Sequence, residues 1–327
     1  MENTIMASVA AESITRRSFD HSNTPYVYES NNTSENLIEF FDNNTALINQ
    51  DLNQHGALLF RGFNIKNIQD FDKFTSYRLQ ENVKYVGGAT PRKKLSKLTS
   101  TSTIFPKDQS IRLHNELSYE ITMPAELLFC CIIAPSEQGQ TPIVDTHKVY
   151  NDIDPLIIEE FRQRNGWKLT RNYGQCFGPS VKEGFGTTDK EQIISDCKLR
   201  DITCEILDTD KIRTTQIRPA VHEHPNKVGL PLWINHVAFW HSSSLSKEYF
   251  EHMSSSLAPE EFPYLIQFGD GTNIPDSYVE HIHKAYQKNE IIFDWHKGDV
   301  LLLDNYQMAH GRKPYDGNRL IAVSMGY

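Results

Sequence analysis

The sequence predicts a mainly β protein, an antiparallel double-layered sheet sandwich supported by helices. Short apolar runs separated by turn formers recur along the chain, among them 57–63, 127–134, 143–145, 231–236, 300–303 and 320–323. Helical spacing is concentrated early, over 37–52 and 68–79, and returns over 146–164, 190–199 and 275–288. No internal repeat, low-complexity tract, G-x-G-x-x-G or Walker pattern appears, so neither a dinucleotide nor a nucleotide triphosphate is indicated.

Each element has a local reason. Leu37, Ile38, Phe41, Ile48 and Leu52 recur at helical spacing until Gly56 stops the helix, and Ala57-Leu58-Leu59-Phe60 then reads as a strand. Residues 1–28 are polar with little periodicity and read as a loosely held arm, leaving 29–327 as a single domain. The stretch 92–97 holds four basic residues among loop formers, the pattern of a solvated loop. Residues 166–229 lack a clear core pattern of their own and read as an elaboration on that domain.

Composition excludes several classes. The chain has 327 residues, 39% hydrophobic and 23% charged, ordinary for a globular enzyme. A formal net charge of −9 argues against a nucleic-acid binder, and no apolar run is long enough to span a membrane. Glu2 precedes the short apolar patch 5–11 where a signal peptide needs basic residues. Five cysteines without a C-x-x-C read as reduced packing thiols, which points to the cytoplasm.

The chemistry is concentrated in two segments. In the strand-like run 111–119, His114 and Glu116 lie two residues apart, so a strand would present both on one face. A second histidine from elsewhere would complete a facial site for non-haem Fe(II). His-x-Glu alone is common by chance. The far segment supplies His310 just past the apolar run 300–303, and Arg319 where the next apolar run begins.

With these segments the chain resembles the Fe(II)/2-oxoglutarate-dependent oxygenases of the taurine dioxygenase and clavaminate synthase-like superfamily. It is most similar to the amino-acid hydroxylases of nonribosomal peptide assembly, through Ser102-Thr103, His114-Asn115-Glu116-Leu117-Ser118-Tyr119, Thr141-Pro142-Ile143-Val144-Asp145, Arg171-Asn172-Tyr173, Arg218-Pro219-Ala220-Val221, His224-Pro225, Trp233-Ile234-Asn235 and Asp304-Asn305. The resemblance runs from Leu58 to Tyr327. Two motifs depart from the family pattern, with Gly139-Gln140 in place of a double glycine and Ile234 in place of an aromatic residue.

The resemblance implies a double-stranded β-helix, a cupin-like jelly-roll core. It implies His114, Glu116 and His310 as iron ligands, and Arg319 with Thr141 as the 2-oxoglutarate anchors, with O2 as second cosubstrate. The charges agree: Fe(II) and one arginine cancel one carboxylate ligand and dianionic 2-oxoglutarate, which a site closed to water requires. An arginine offers the distal carboxylate a two-pronged fork that a lysine lacks. A carboxylate at Glu116 favours hydroxylation or desaturation over halogenation, because halogenating relatives place a small residue there.

The expected substrate is an amino acid or peptide-like molecule, free or held by an acyl or peptidyl carrier protein, with the basic stretch 92–97 as a docking loop for an acidic carrier. Tyr119, Arg171, Trp233 and Asn235 are the substrate-contact candidates, with core packing as the alternative for each. Val323 stands where relatives with anionic substrates carry a second arginine. His222-Glu223-His224 and the pair His281 and His283 read as surface or capping histidines, as do His236, His241 and His296, and Arg312 reads as a surface or salt-bridge residue. The rival to an enzyme is a catalytically silent barrel acting as a binding or scaffold module.

Overall fold

The computed structural model describes residues 14–19, 22–79, 94–101 and 105–327. Its main sheet has seven strands in the order Ile14–Phe19, Ser22–Ser30, Ala57–Arg61, Val300–Asp304, Glu126–Ile133, Leu320–Gly326 and Ser100–Thr101. From Ala57–Arg61 onward, early and late strands of the sequence therefore alternate across the sheet. The central strands are continuous apolar runs because both faces are covered. Leu58, Phe60, Leu128, Cys130, Val300 and Leu302 pack on one side, with helices Leu37–His55 and Ile68–Arg78. Leu59, Leu127, Phe129, Leu301 and Leu303 face the other side and the main core.

The first helix begins at Asn36, whose side chain accepts the Ile38 and Glu39 N–H groups, and ends at Gly56 in the left-handed region at φ 71°. It links Ser22–Ser30 to Ala57–Arg61, and those two strands run parallel. The expected loose arm is therefore corrected for 22–28. Val27 and Tyr28 are fully buried, and the Tyr28 hydroxyl donates to Asp51 at 2.5 Å. The basic stretch at Arg92 and Lys93, and the Ser102-Thr103 motif, lie outside the described residues.

The expected helix over 146–164 is two helices, Thr146–Asp152 and Pro155–Gln163. Pro155 has no N–H to continue the first and opens the second, which Asp154 caps through the Leu156 N–H. The apolar residues Ile291, Ile292 and Phe293 build no strand, and Ile291 alone makes an isolated antiparallel bridge to Ile143. The 166–229 segment does have a small core of its own, formed by Tyr173, Val181, Phe185, Ile193, Cys197, Ile202 and Ile212. Its strands Thr203–Ile206, Ile212–Arg218 and Trp167–Tyr173 continue into Tyr264–Phe268 as one sheet.

A three-stranded sheet of Ile111–His114, Met308–Arg312 and Ile143–Asp145 carries the site. The five cysteines are free, and no helix among the described residues is long and apolar enough to cross a membrane.

Candidate metal and 2-oxoglutarate site

His114 and His310 face each other across paired antiparallel strands, their ring centroids 4.6 Å apart. The strand ends at His114, so Glu116 does not reach the site by strand alternation as the sequence suggests. It lies in a turn in which Leu117 adopts φ 56°. Side chains replace the missing ladder. Asn305 Oδ1 accepts the Glu116 N–H, its Nδ2 donates to the Glu116 carbonyl, and Asn115 Nδ2 donates to the Asn305 carbonyl at 2.7 Å.

Ligand atoms of His114, Glu116 and His310 all lie within 4.8 Å of one another, the one such group among the described residues. Glu116 and His310 are buried, with Oε2 and Nε2 3.8 Å apart. The donors fit a ferrous ion in a further respect. His114 Nδ1 donates to the Arg112 carbonyl at 2.8 Å, which fixes the tautomer and leaves the Nε2 lone pair for a metal.

Just ahead of the strands Leu320–Gly326 and Ile143–Asp145, Arg319 donates from Nε to the Gly139 carbonyl at 2.8 Å and from Nη2 to Thr141 Oγ1 at 3.2 Å. Thr141 Oγ1 also accepts Trp295 Nε1–H at 3.0 Å. Two donors fill its two lone pairs, so its single proton remains to be donated. Burial and the neighbouring Arg312 push the Arg319 guanidinium down to about 10, and it stays cationic at neutral pH. A cation beside a hydroxyl with a proton to give can hold a carboxylate.

The four substrate candidates separate. Tyr119 is buried with its ring 5.1 Å from that of His236, which lies 5.6 Å from His114. The buried Arg171 guanidinium sits 5.0, 5.5 and 5.9 Å from the rings of Tyr173, Tyr264 and Tyr119. Trp233 is instead a core residue, fully buried with its ring 5.3 Å from Phe161. Asn235 spends its amide on backbone, donating to the Ala220 carbonyl and accepting the Val237 N–H.

Several histidines differ from the surface reading. His224 is buried, its Nε2 2.7 Å from Asp304 Oδ2. His241 is buried but does cap, its Nδ1 accepting the Ser243 N–H, and His283 pairs with Ser244. His281 does cap, accepting the Asp154 N–H. His236 lines the site, and burial, then His114 and Arg171, hold its imidazole well below the usual histidine range, so it is neutral. Arg312 is buried and, among the described residues, makes no ion pair; it donates to the carbonyls of Phe105, Pro106 and Gln109. Trp295 and His236 were missed because neither has a spacing partner. Their contacts are 154 and 118 residues away in sequence.

Two imidazoles from paired strands and one carboxylate from the turn that follows, with a cation and a hydroxyl alongside that can hold a carboxylate, define a mononuclear non-haem iron oxygenase site. Residues 29–325 match the taurine catabolism dioxygenase TauD, TfdA family, and the chain belongs to that family. It is thus a dioxygenase that uses Fe(II) and 2-oxoglutarate. The dapdiamide synthesis protein DdaC of Enterobacter agglomerans is 36% identical over 290 residues, covering 88% of this chain and 87% of its own length. A clavaminate synthase-like protein of Arabidopsis thaliana is 28% identical, covering 84% and 82%. The fold matches that of PvcB from Pseudomonas aeruginosa, with TM-score 0.55 at 15% identity over 98% of this chain and 94% of that one. PvcB is described as an Fe, alpha-ketoglutarate dependent oxygenase from an isonitrile synthetic pathway. A taurine dioxygenase from Burkholderia xenovorans aligns with TM-score 0.52 at 13% identity, covering 96% and 89%.

Proposed function

We propose that this dioxygenase hydroxylates or desaturates an unactivated C–H bond of an amino-acid or peptide-like substrate, free or carrier-bound, in specialised-metabolite biosynthesis in the cytoplasm. The observation that carries the metal assignment is the convergence of His114, Glu116 and His310 within 4.8 Å. The metabolic setting is supported by the relative named for dapdiamide synthesis and by PvcB. We read the seven-stranded and three-stranded sheets as the two layers of a double-stranded β-helix.

In this reading His114, Glu116 and His310 hold the ferrous ion, and Arg319 with Thr141 holds the distal carboxylate of 2-oxoglutarate. Iron(II) and 2-oxoglutarate would supply the oxidation: with O2 the cosubstrate would yield succinate and CO2, and the substrate would gain the second oxygen atom or lose two hydrogens that leave with it as water. The chain itself orients and insulates. Arg112 fixes the His114 tautomer through its carbonyl, Asn305 sets the Glu116 backbone, and Trp295 orients the Thr141 hydroxyl toward the cosubstrate. Phe129, 5.0 Å from His310, and Phe239, 4.9 Å from His114, keep water from the ligand rings. Tyr119 and Arg171 line the substrate side.

The experiment is succinate formation with a panel of free and carrier-bound amino acids, with products read by mass for added oxygen or lost hydrogen. Glu116→Ala and His310→Ala are expected to abolish it. Unchanged succinate output in both variants overturns the reading and returns the silent scaffold.

A further inference from the structure

We infer that His236 is a positioning residue of the metal centre, bracing His114 and the turn after Glu116 with one side chain. The inference rests on the assignment of His114, Glu116 and His310 as the metal set.

The turn needs support at both ends. Leu117 is a branched residue held at φ 56°, a backbone region that L side chains rarely adopt, so the surroundings must impose it. Asn305 grips the turn at Glu116. The grip at the other end is Ser118, whose Oγ lies 2.6 Å from His236 Nδ1. Ser118 and His236 are both 2% exposed, so the bond between them is sheltered. Among the described residues this is the only hydrogen bond that either side chain makes.

The His236 ring is itself held in place. It lies 4.3 Å from Trp240, 5.1 Å from Tyr119 and 5.2 Å from Phe239. Its edge meets the His114 ring at 5.6 Å and 67°. Phe239 touches both, 4.9 Å from His114. A ring fixed on three sides transmits its position to the fourth. Phenylalanine would fill this space and strand the Ser118 hydroxyl. Glutamine would reach the hydroxyl and leave His114 with less to lean on. Histidine does both, which accounts for an imidazole in an aromatic wall.

The test measures Mn(II) affinity of the full chain from the electron-paramagnetic signal of free Mn(II), with circular dichroism as the check on folding. His236→Phe is expected to weaken Mn(II) binding about tenfold, the scale of lost outer-layer support at metal sites. Ser118→Ala should weaken it several-fold. The double variant should be no weaker than His236→Phe, since both remove one shared bond. His236→Gln should recover the part owed to Ser118. If His236→Phe does not fold, Ser118→Ala decides. A folded Ser118→Ala or His236→Phe chain that binds Mn(II) as the unaltered chain does overturns the inference. Glu116→Ala is the control: retained Mn(II) affinity there overturns the metal assignment, and a loss there with no change at Ser118 and His236 overturns the bracing alone.

Discussion

Asn305 holds Glu116 by both sides of its backbone, accepting the Glu116 N–H at 2.9 Å and donating to the Glu116 carbonyl at 3.0 Å. The same amide nitrogen donates to the Pro124 carbonyl at 2.9 Å, so one buried side chain takes the part of a missing strand. Asn305→Ala leaves buried backbone groups without partners and frees the Glu116 carboxylate to wander. The expected result is a metal affinity lowered ~10–100-fold, measured by Fe(II) titration of the activity. A variant with unaltered iron dependence shows that the turn holds itself.

The 2-oxoglutarate end makes a separate prediction. Arg319→Lys keeps the charge and loses the fork, together with the bond to Thr141. The KM for 2-oxoglutarate should rise by roughly ten- to a hundredfold, the worth of a charge-assisted bond. Trp295→Phe removes only the donor to Thr141, and its effect should be smaller, about fivefold. Equal effects of the two would place the distal carboxylate elsewhere.

Acid should loosen the fold at Asp304. Burial disfavours its charge, but the hydrogen bond and charge of His224 and the charge of Lys227 outweigh burial and hold the carboxyl below its usual range. A carboxylate depressed on folding stabilises the native state above its unfolded value, about 3.9, and loses that contribution as pH falls through the folded value. Asp304→Asn should therefore unfold at lower temperature than the unaltered chain near neutral pH, and the gap should close in acid. Thermal unfolding across that range measures it, and a gap that is constant or widens in acid contradicts the pairing.

What was legible in the sequence were groups whose chemistry is local or whose spacing is shared. His114 and Glu116 sit two apart and His310 and Arg319 each border an apolar run, while Thr141 stood out only through the resemblance to the family. The strand Ser22–Ser30 was not legible, because its one aliphatic residue, Val27, stands among Ser, Asn, Thr, Pro, Tyr and Glu without alternation, and Val27 and Tyr28 are buried beside their distant partners Leu59 and Phe60. The burial of His224, His236 and Arg312 was equally hidden. A lone titratable residue reads as exposed, and its partner is a tertiary fact: Asp304 lies 80 residues from His224. Pro155 was in plain view, and the helical spacing around it still suggested one helix where the chain builds two.

The order of strands in the main sheet has a consequence for synthesis. Ala57–Arg61 and Glu126–Ile133 do not pair with each other; Val300–Asp304 lies between them, and Leu320–Gly326 flanks the second. While the chain emerges from the ribosome, the first strands wait with bare edges for neighbours translated more than 160 residues later. Iron cannot template this assembly, since His310 arrives in the same late segment. Shielding of those edges in the nascent chain, by a chaperone or by transient pairing, is thus a requirement that the sheet order places on the cell.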